Sequence, residues 1–341
     1  MALHILYSDV HVKRETLPVI RHVFNYIGEQ AVKLGVVKSG GYLLNNGDLF
    51  DQRGMIPTSC WDVVCEARSA WREMGIKHID NIGNHDQEDR EGEIHPLKIF
   101  ESFEDWHVCT KPTFLEDLGW VIIPYTHALE ASLADALEAD PSALFVHAGI
   151  KSAFRNDKSR DTDGISIDLF RDFKMVFSGH YHFRHEIENV QYIGSTHQHS
   201  HAEMGQDKGF ILYNDKTGKR TFHEIPGTPK HFRVELSFNS KGKLINEAKG
   251  EPPYAPCDKV KCHITGRADQ VKMVTKDQVA KLIGHERFSV ERSTVDEAVS
   301  RLSLPTGKVL DHEELLGKYI DFVDPSLDKK KLFAKGKELL G

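Results

Sequence analysis

Five short polar motifs each close an apolar, strand-like run: Asp9-Val10-His11, Gly47-Asp48-Leu49-Phe50-Asp51, Gly83-Asn84-His85-Asp86, His147-Ala148-Gly149 and Gly179-His180-Tyr181-His182. The runs before them extend from Leu3 to Ser8, Tyr42 to Leu44, Ile76 to Ile82, Ala143 to Val146 and Lys174 to Phe177. Segments of helical spacing lie between the first of these runs. Val19, Val23, Ile27, Val32 and Leu34 share one broad face in the stretch from Thr16 to Leu34. Trp61, Val64, Ala67, Ala70 and Trp71 share another between Ser59 and Met74. Alternating strand and helix signals predict an α/β layered fold with helices outside the sheet. In open α/β sheets, ligands bind beyond the carboxyl ends of the strands. A chain folded this way therefore brings all five motifs to one edge.

The pattern then changes. Pro96 to Phe103 reads as a short helix, Thr113 to Tyr125 as hairpin-like strands about Asp117-Leu118-Gly119, and Leu129 to Glu138 as a helix. From Phe183 to Ile225 the sequence is strand-rich, which predicts a mixed sheet or a second sheet packed on the first. Pro226-Gly227-Thr228-Pro229 reads as a boundary. The expected organisation is a main domain over residues 1–228, a small α+β unit over 229–293 and a helical tail over 294–341. The small unit carries strand signals at Phe232 to Phe238, Val260 to Thr265 and Phe288 to Arg292, with a helix from Thr275 to Ile283. In the tail, Leu315, Leu316, Tyr319, Ile320 and Val323 form one apolar stripe, and Leu332, Phe333, Leu339 and Leu340 another.

The formal net charge of −7 carries no global nucleic-acid signal, so such binding would rest on local basic residues or a partner. Lys151, Arg155, Lys158 and Arg160, offset by Asp157, form one local patch, readable as a DNA-phosphate contact or as a solvated loop. Arg53, Arg90 and Arg184 lie near the motifs and carry the same two readings. The 5 cysteines include no Cys-x-x-Cys pair, which predicts a reduced, cytoplasmic compartment. The start of the chain reads as a strand rather than a signal peptide. No apolar run approaches the roughly 18 residues that a membrane span needs.

Asp9 and His11 are two apart, as are His180 and His182, so in extended chain each pair points to one side. Asp48, Asn84 and His147 add one candidate ligand each. Together they are about what two ions, roughly 3.5–4 Å apart and sharing a carboxylate, require. Mixed imidazole, carboxylate and amide donors suit manganese, iron or zinc better than magnesium or calcium. His147 stands alone after Phe145-Val146, as a core histidine also would, but Ala148-Gly149 permits close approach. His197, His199 and His201 at period two would share a strand face and add a metal or phosphate contact; the plainer reading is a solvated polar strand or loop.

In this order the five motifs resemble those of the calcineurin-like metallophosphoesterases. The resemblance implies their layered fold, with mixed sheets flanked by helices. It implies that Asp9, His11, Asp48 and His182 hold one metal, and Asp48, Asn84, His147 and His180 the other, with Asp48 bridging. It further implies that His85 is a catalytic acid that protonates the leaving oxygen, oriented by Asp51. The reaction so implied is hydrolysis, by in-line attack of an activated water on phosphorus.

Gly47-Asp48-Leu49-Phe50-Asp51, Tyr192-Ile193-Gly194-Ser195-Thr196 and Lys208-Gly209-Phe210 narrow the resemblance to the SbcD-type nucleases of double-strand-break repair and recombination. The compact length is most like their phage counterparts. This implies a DNA exonuclease and endonuclease with two divalent ions, manganese first, then magnesium, iron or zinc. It also implies a small domain that contacts DNA, and a homodimer built through the helices at Ser59 to Met74 and Pro96 to Phe103. The tail would grip an SMC-like ATPase subunit. The run His197-Gln198-His199-Ser200-His201 departs from the family, which carries less histidine there. A phosphomonoesterase or cyclic-nucleotide phosphodiesterase would share the motifs but should lack the small domain and tail. A non-catalytic scaffold is disfavoured by the complete ligand set.

Overall fold

The computed structural model describes residues 2–90, 92–103, 105–156, 158–246, 254–294, 320 and 331–335. The chain divides into two compact units, Met1–Phe232 with Cys257–Lys259, and Arg233–Pro256 with Val260–Gly341. Apart from residues 294, 320 and 331–335, the tail expected over 294–341 lies outside the described residues, as does Asp157.

In chain order the first unit has strands β1 (Leu3–Tyr7), β2 (Tyr42–Asn46), β3 (Lys77–Asn81), β4 (Trp106–Cys109), β5 (Thr113–Leu115), β6 (Trp120–Ile123) and β7 (Ala143–His147). It continues with β8 (Phe154–Asn156), β9 (Ser159–Arg160), β10 (Val176–Gly179), β11 (His185–Ile187), β12 (Val190–Tyr192), β13 (Gly209–Asn214) and β14 (Arg220–Glu224). Its helices are α1 (Leu17–Lys33), α2 (Thr58–Glu73) and α3 (Leu129–Glu138). One sheet runs β14-β13-β1-β2-β3-β4 and a second runs β11-β12-β10-β7-β6-β5. Both are mixed: β1 to β4 are parallel while β13 returns antiparallel, and β6, β7, β10 and β12 are parallel with antiparallel strands at the edges. The segment Pro96–Ser102 forms 3-10 turns rather than an α-helix.

The central strands of each sheet are buried on both faces, so they read as largely apolar runs. Ile5 and Leu43 face α1 and α2, in a core with Val23, Phe24, Ile27, Val64 and Trp71. Their neighbours Leu6 and Leu44 point the opposite way, as the strand period demands, and meet Trp120, Phe145 and Phe177 of the second sheet. Leu144 and Val146 face outward again, against Leu129 and Leu133 of α3 and Phe170. The layering is helix, sheet, sheet, helix, the mixed α/β architecture that the alternation predicts.

Two asparagines tie the sheets together at their carboxyl ends. Asn46 Nδ2, at the end of β2, donates to Val146 O at 2.9 Å and Phe177 O at 3.3 Å on β7 and β10. Asn81 Nδ2, at the end of β3, donates to Asn46 Oδ1 at 3.0 Å and Ile123 O at 3.1 Å. Both side chains are fully buried. In that setting each bond is electrostatically stronger than in water, and breaking one leaves a polar group without a partner.

A second buried network fixes α2 to the first sheet. Arg68 donates to Asp80 at 2.7 Å, and its guanidinium lies over the rings of Trp71 and Trp106 at 5.0 and 5.1 Å. His78 Nε2 accepts from the Tyr7 hydroxyl at 2.7 Å, while its Nδ1 faces Asp80 at 3.1 Å. Burial works to raise the Asp80 carboxyl, but Arg68 and His78 outweigh it and hold it at about 2.

The second unit has β15 (His231–Phe238), β16 (Leu244–Asn246), β17 (Lys259–Gly266) and β18 (Phe288–Thr294), ordered β16-β15-β17-β18. It also has α4 (Ala268–Met273) and α5 (Lys276–Ile283). Thr275 and Gln278 form a reciprocal capping box at the start of α5. Val234, Leu236, Val260, Cys262, Ile264, Val271 and Val279 are among its buried apolar residues. Among the described residues, no helix is long and apolar enough to cross a membrane.

Replacing Asn46 by Leu leaves two carbonyls and the Asn81 amide without partners, so Asn46→Leu should cost about 3 kcal/mol or more in denaturant unfolding; an unchanged midpoint would contradict the tie. Acid should also destabilise the protein. Burial pushes His4 and His78 from the ordinary 6.5 down to about 4, so both are neutral in the folded chain. As the pH falls below about 6.5 the unfolded chain takes up these protons first, and stability is lost until the folded pKa near 4 is passed. A drop of at least ~2 kcal/mol between pH 7 and 4 is expected in denaturant titrations of metal-free protein.

Candidate metal centre

Four of the five motifs start within a few residues of the asparagine ties. Asn46 is followed by Gly47 and Asp48, Asn81 by Ile82, Gly83 and Asn84, Val146 by His147, and Phe177 by Ser178, Gly179 and His180. Asp9, His11, Asp48 and His180 leave their strands with φ of 52°, 48°, 55° and 89°. Such left-handed backbone costs about 1–3 kcal/mol per residue and persists where the surroundings over-determine it. Here Asp9 N donates to Gly47 O at 3.0 Å, His11 N to Asp48 O at 3.1 Å, and His180 N to Asp9 Oδ1 at 3.1 Å. His11, Asp48 and His180 line one cleft of about 410 Å³, with Lys13, His85, His182 and Glu203 among its other walls.

The expected residues come together in linked groups. In Asp9–His11–His182, in His11–Asp48–His85 and in Asp48–His147–His180, the possible ligand atoms lie within 4.8 Å of one another. Asp48 Oδ2 stands 3.7 Å from His11 Nε2 and 3.3 Å from His147 Nε2, between the outer groups. His182 Nε2 is 3.1 Å from His11 Nε2. Asn84 Oδ1 is 2.9 Å from His180 Nδ1. Ligands bonded to one ion at about 2.0–2.3 Å lie roughly 3–3.5 Å from each other, so these separations suit adjacent ligands of bound ions.

The chemistry of the donors fits as well. Asp9 Oδ2 and His147 Nε2 are buried without a hydrogen-bond partner, although buried polar atoms normally have one. His147 Nδ1 donates to Asn46 O at 2.8 Å, which turns the lone pair of Nε2 towards Asp48. Burial alone would push His147 down, yet the Asp48 carboxylate pushes it well above its ordinary value. Burial likewise works to raise Asp48, but His147, His11 and His85 outweigh it and hold the carboxyl far below the usual range. Asp48 Oδ2 and His147 Nε2 thus face each other across 3.3 Å, an arrangement that a bound cation would join. Burial, with His147 nearby, lowers His180 to about 4, leaving a neutral donor.

His85 differs from its neighbours. Its backbone N donates to Asp48 Oδ1 at 2.8 Å, and its Nδ1 bonds the main-chain carbonyl of Asp51 at 2.9 Å. The expected orienting contact from Asp51 is therefore made by its backbone, not its carboxylate. That carboxylate faces His11 Nδ1 at 3.5 Å and Lys13 Nζ at 3.3 Å, and the bond to His11 is the leading cause of its fall to about 2. His85 Nε2 is the ring nitrogen left to act in the cleft.

In the sequence Asp86 reads only as part of a motif. In the structure it accepts from Phe50 N at 3.0 Å, Gly83 N at 3.0 Å and Leu49 N at 3.2 Å, so one carboxylate pins two ligand loops together. Burial and the adjoining Asp48 push it up to about 7, against those three bonds. The loops approach so closely that a Cβ on Gly83 would overlap the Asp48 carboxylate and amide. Gly47, at φ +100°, faces the His147 ring in the same way.

Other residues depart from expectation. The segment His197 to His201 forms a loop rather than a strand, and only its end is solvated: Ser200 is exposed, but His197 is 2% exposed, and His199 packs against His11 and His182 at ring distances of 5.1 and 4.6 Å. In the basic loop, Arg155 pairs with Asp161 at 2.6 Å, and Arg160 lies over Phe154 at 4.0 Å. Arg184 lies over Phe222 at 4.0 Å. Glu203 and Lys208, absent from the expected site, reach it: Glu203 Oε1 is 2.9 Å from His182 Nδ1 and 2.9 Å separates Glu203 Oε2 from Lys208 Nζ. Lys208 was visible as part of Lys208-Gly209-Phe210; Glu203 carried no signal in its polar run.

No model of a known protein family matches the sequence. Over 205 residues it is 26% identical to exonuclease subunit 1 of enterobacteria phage T4, across 58% of this chain and 59% of that one. The chain is a homologue of phage and bacterial nuclease subunits. The SbcD component of the SbcCD nuclease of Staphylococcus saprophyticus is 27% identical over 191 residues, 46% of this chain and 50% of that protein. The chain thus spans 59% and 50% of the lengths of these curated relatives. Among solved structures, the nuclease MPE of Pseudomonas putida is 13% identical with a TM-score of 0.27, covering 64% of this chain and 87% of that one.

Gly83→Ala should separate the two loops that Asp86 joins, with a stability loss of about 1–3 kcal/mol and weakened metal uptake. Calorimetric titration with Mn²⁺ checks this; wild-type affinity in the variant would show that the close approach is unimportant.

Proposed function

We propose that this protein is a two-metal DNA nuclease that hydrolyses phosphodiester bonds at DNA ends. The observation that carries the reading is the convergence of five strand-end loops on linked ligand groups with Asp48 between the outer two. In this reading Asp9, His11, Asp48 and His182 hold one ion, and Asp48, Asn84, His147 and His180 the other. The mixed imidazole, carboxylate and amide set favours manganese. The bound ions would activate a water and stabilise the charge on the phosphate.

The protein's own groups do the rest. His85, anchored through Nδ1 to the Asp51 carbonyl, presents Nε2 to the leaving oxygen as its proton donor. Lys13 brings a cation to the cleft, where a neighbouring phosphate would lie. A cleft of about 930 Å³ adjoins His147 and His180, with Tyr125, His127, Arg155 and Tyr181 in its walls, and gives room for a nucleotide. The exposed Lys151 and Lys158 are the cations of the basic loop left for backbone phosphates.

The relatives support the nuclease reading, being named an exonuclease subunit and a nuclease subunit. Their names also describe parts of larger assemblies. We extend this to an SMC-like ATPase partner bound through the tail over 294–341, and to DNA contacts made by the small unit. A homodimer through α2 and Pro96–Ser102 is supported by the exposed Met74 and Ile99, at 42% and 51%. The proposed location is the cytoplasm.

With Mn²⁺, the purified protein, alone or with its ATPase partner, should degrade linear duplex DNA. His85→Ala should lower the rate by roughly 10²–10⁴-fold while still binding ions. Rapid hydrolysis of a small phosphomonoester with no cleavage of DNA under either condition would sink the proposal.

A further inference from the structure

Glu203 and Lys208 lie outside the five motifs, yet both are buried at the edge of the cleft, at 7% and 4% exposure. Glu203 Oε1 faces His182 Nδ1 at 2.9 Å. Its other oxygen lies 2.9 Å from Lys208 Nζ and accepts from His199 N at 3.2 Å. Lys208 Nζ also donates to the backbone carbonyl of His182 at 2.6 Å. Ring and main chain of one histidine are thus held from two sides by one buried ion pair.

The chemistry of this arrangement is directional. A carboxylate only accepts, so Glu203 requires the His182 proton to sit on Nδ1. The lone pair is then on Nε2, the nitrogen that meets His11 Nε2 at 3.1 Å. A carboxylate behind an imidazole also makes it a stronger donor to a metal. His147, in the other half of the site, has only the Asn46 carbonyl behind it.

We propose that Glu203, itself held by Lys208, is the positioning residue for His182, and that it sets the affinity of the ion held with Asp9 and His11 while leaving the other ion's affinity unchanged. The inference rests on the two-metal reading above. In Glu203→Gln, Lys208 and His199 N claim the amide oxygen, which leaves NH₂ groups facing His182 Nδ1. The ring proton must then move to Nε2, where the ion should bind. Replacing the pair together, E203M/K208M, removes the acceptor without stranding a buried lysine.

The test is Co²⁺ titration of metal-free full-length protein, followed by calorimetry and by the visible absorption of the bound ion. Wild type should take up two ions. In both variants one dissociation constant should rise roughly 10–100-fold with an altered spectrum for that ion, and the other should stay as in wild type. Unchanged constants and spectra in both variants would overturn the proposal, as would equal weakening of both ions. A wild type that takes up fewer than two ions would instead overturn the metal reading itself, and this inference with it.

Discussion

The hydrogen bonds of two buried asparagines are what the rest of the first unit depends on. Each sheet is independently satisfied along its own strands, and apolar packing between them is not directional. Asn46 and Asn81 supply the direction, reaching across to β6, β7 and β10 at the carboxyl ends. The next few residues on four of these strands are the candidate ligands. The position of the site therefore follows from the layer contact, within the length of one turn.

Above that tie, the structure concentrates opposing demands. Four candidate ligands occupy left-handed backbone, two loops touch where only glycine fits, and carboxylates sit within a few ångströms of one another. Asp86 answers part of this with three backbone N–H bonds, and the Asp48–His147 pair answers another part. Asp9 Oδ2 remains without a partner, and a bound cation would satisfy it. A buried cluster of this kind costs stability unless it is matched by ions, which is why such sites accompany function.

Much of this was legible in the sequence. Apolar runs that end in polar motifs gave the strands, helical spacing gave α1, α2 and α3, and the motif order placed the cluster. The two-sheet arrangement was one of two options that the strand-rich second half allowed; burial on both faces of each sheet's central strands decides it. What escaped has common physical causes. β4 is four residues long and alternates weakly. The Asp51 contact to His85 runs through a main-chain carbonyl, which every residue type carries. Glu203 reaches His182 across 21 residues, from a run that reads as polar loop. His197 is polar yet buried, because its surroundings are set by long-range packing rather than by its own neighbours in sequence.

The central claim is that five strand ends build one site for two ions around Asp48. The most direct measurement is anomalous diffraction from crystals of the full chain grown with manganese. Two peaks are predicted, one among Asp9, His11 and His182 and one among Asp48, His147 and His180, with Asp48 touching both. A single peak, or peaks away from these residues, would contradict the account.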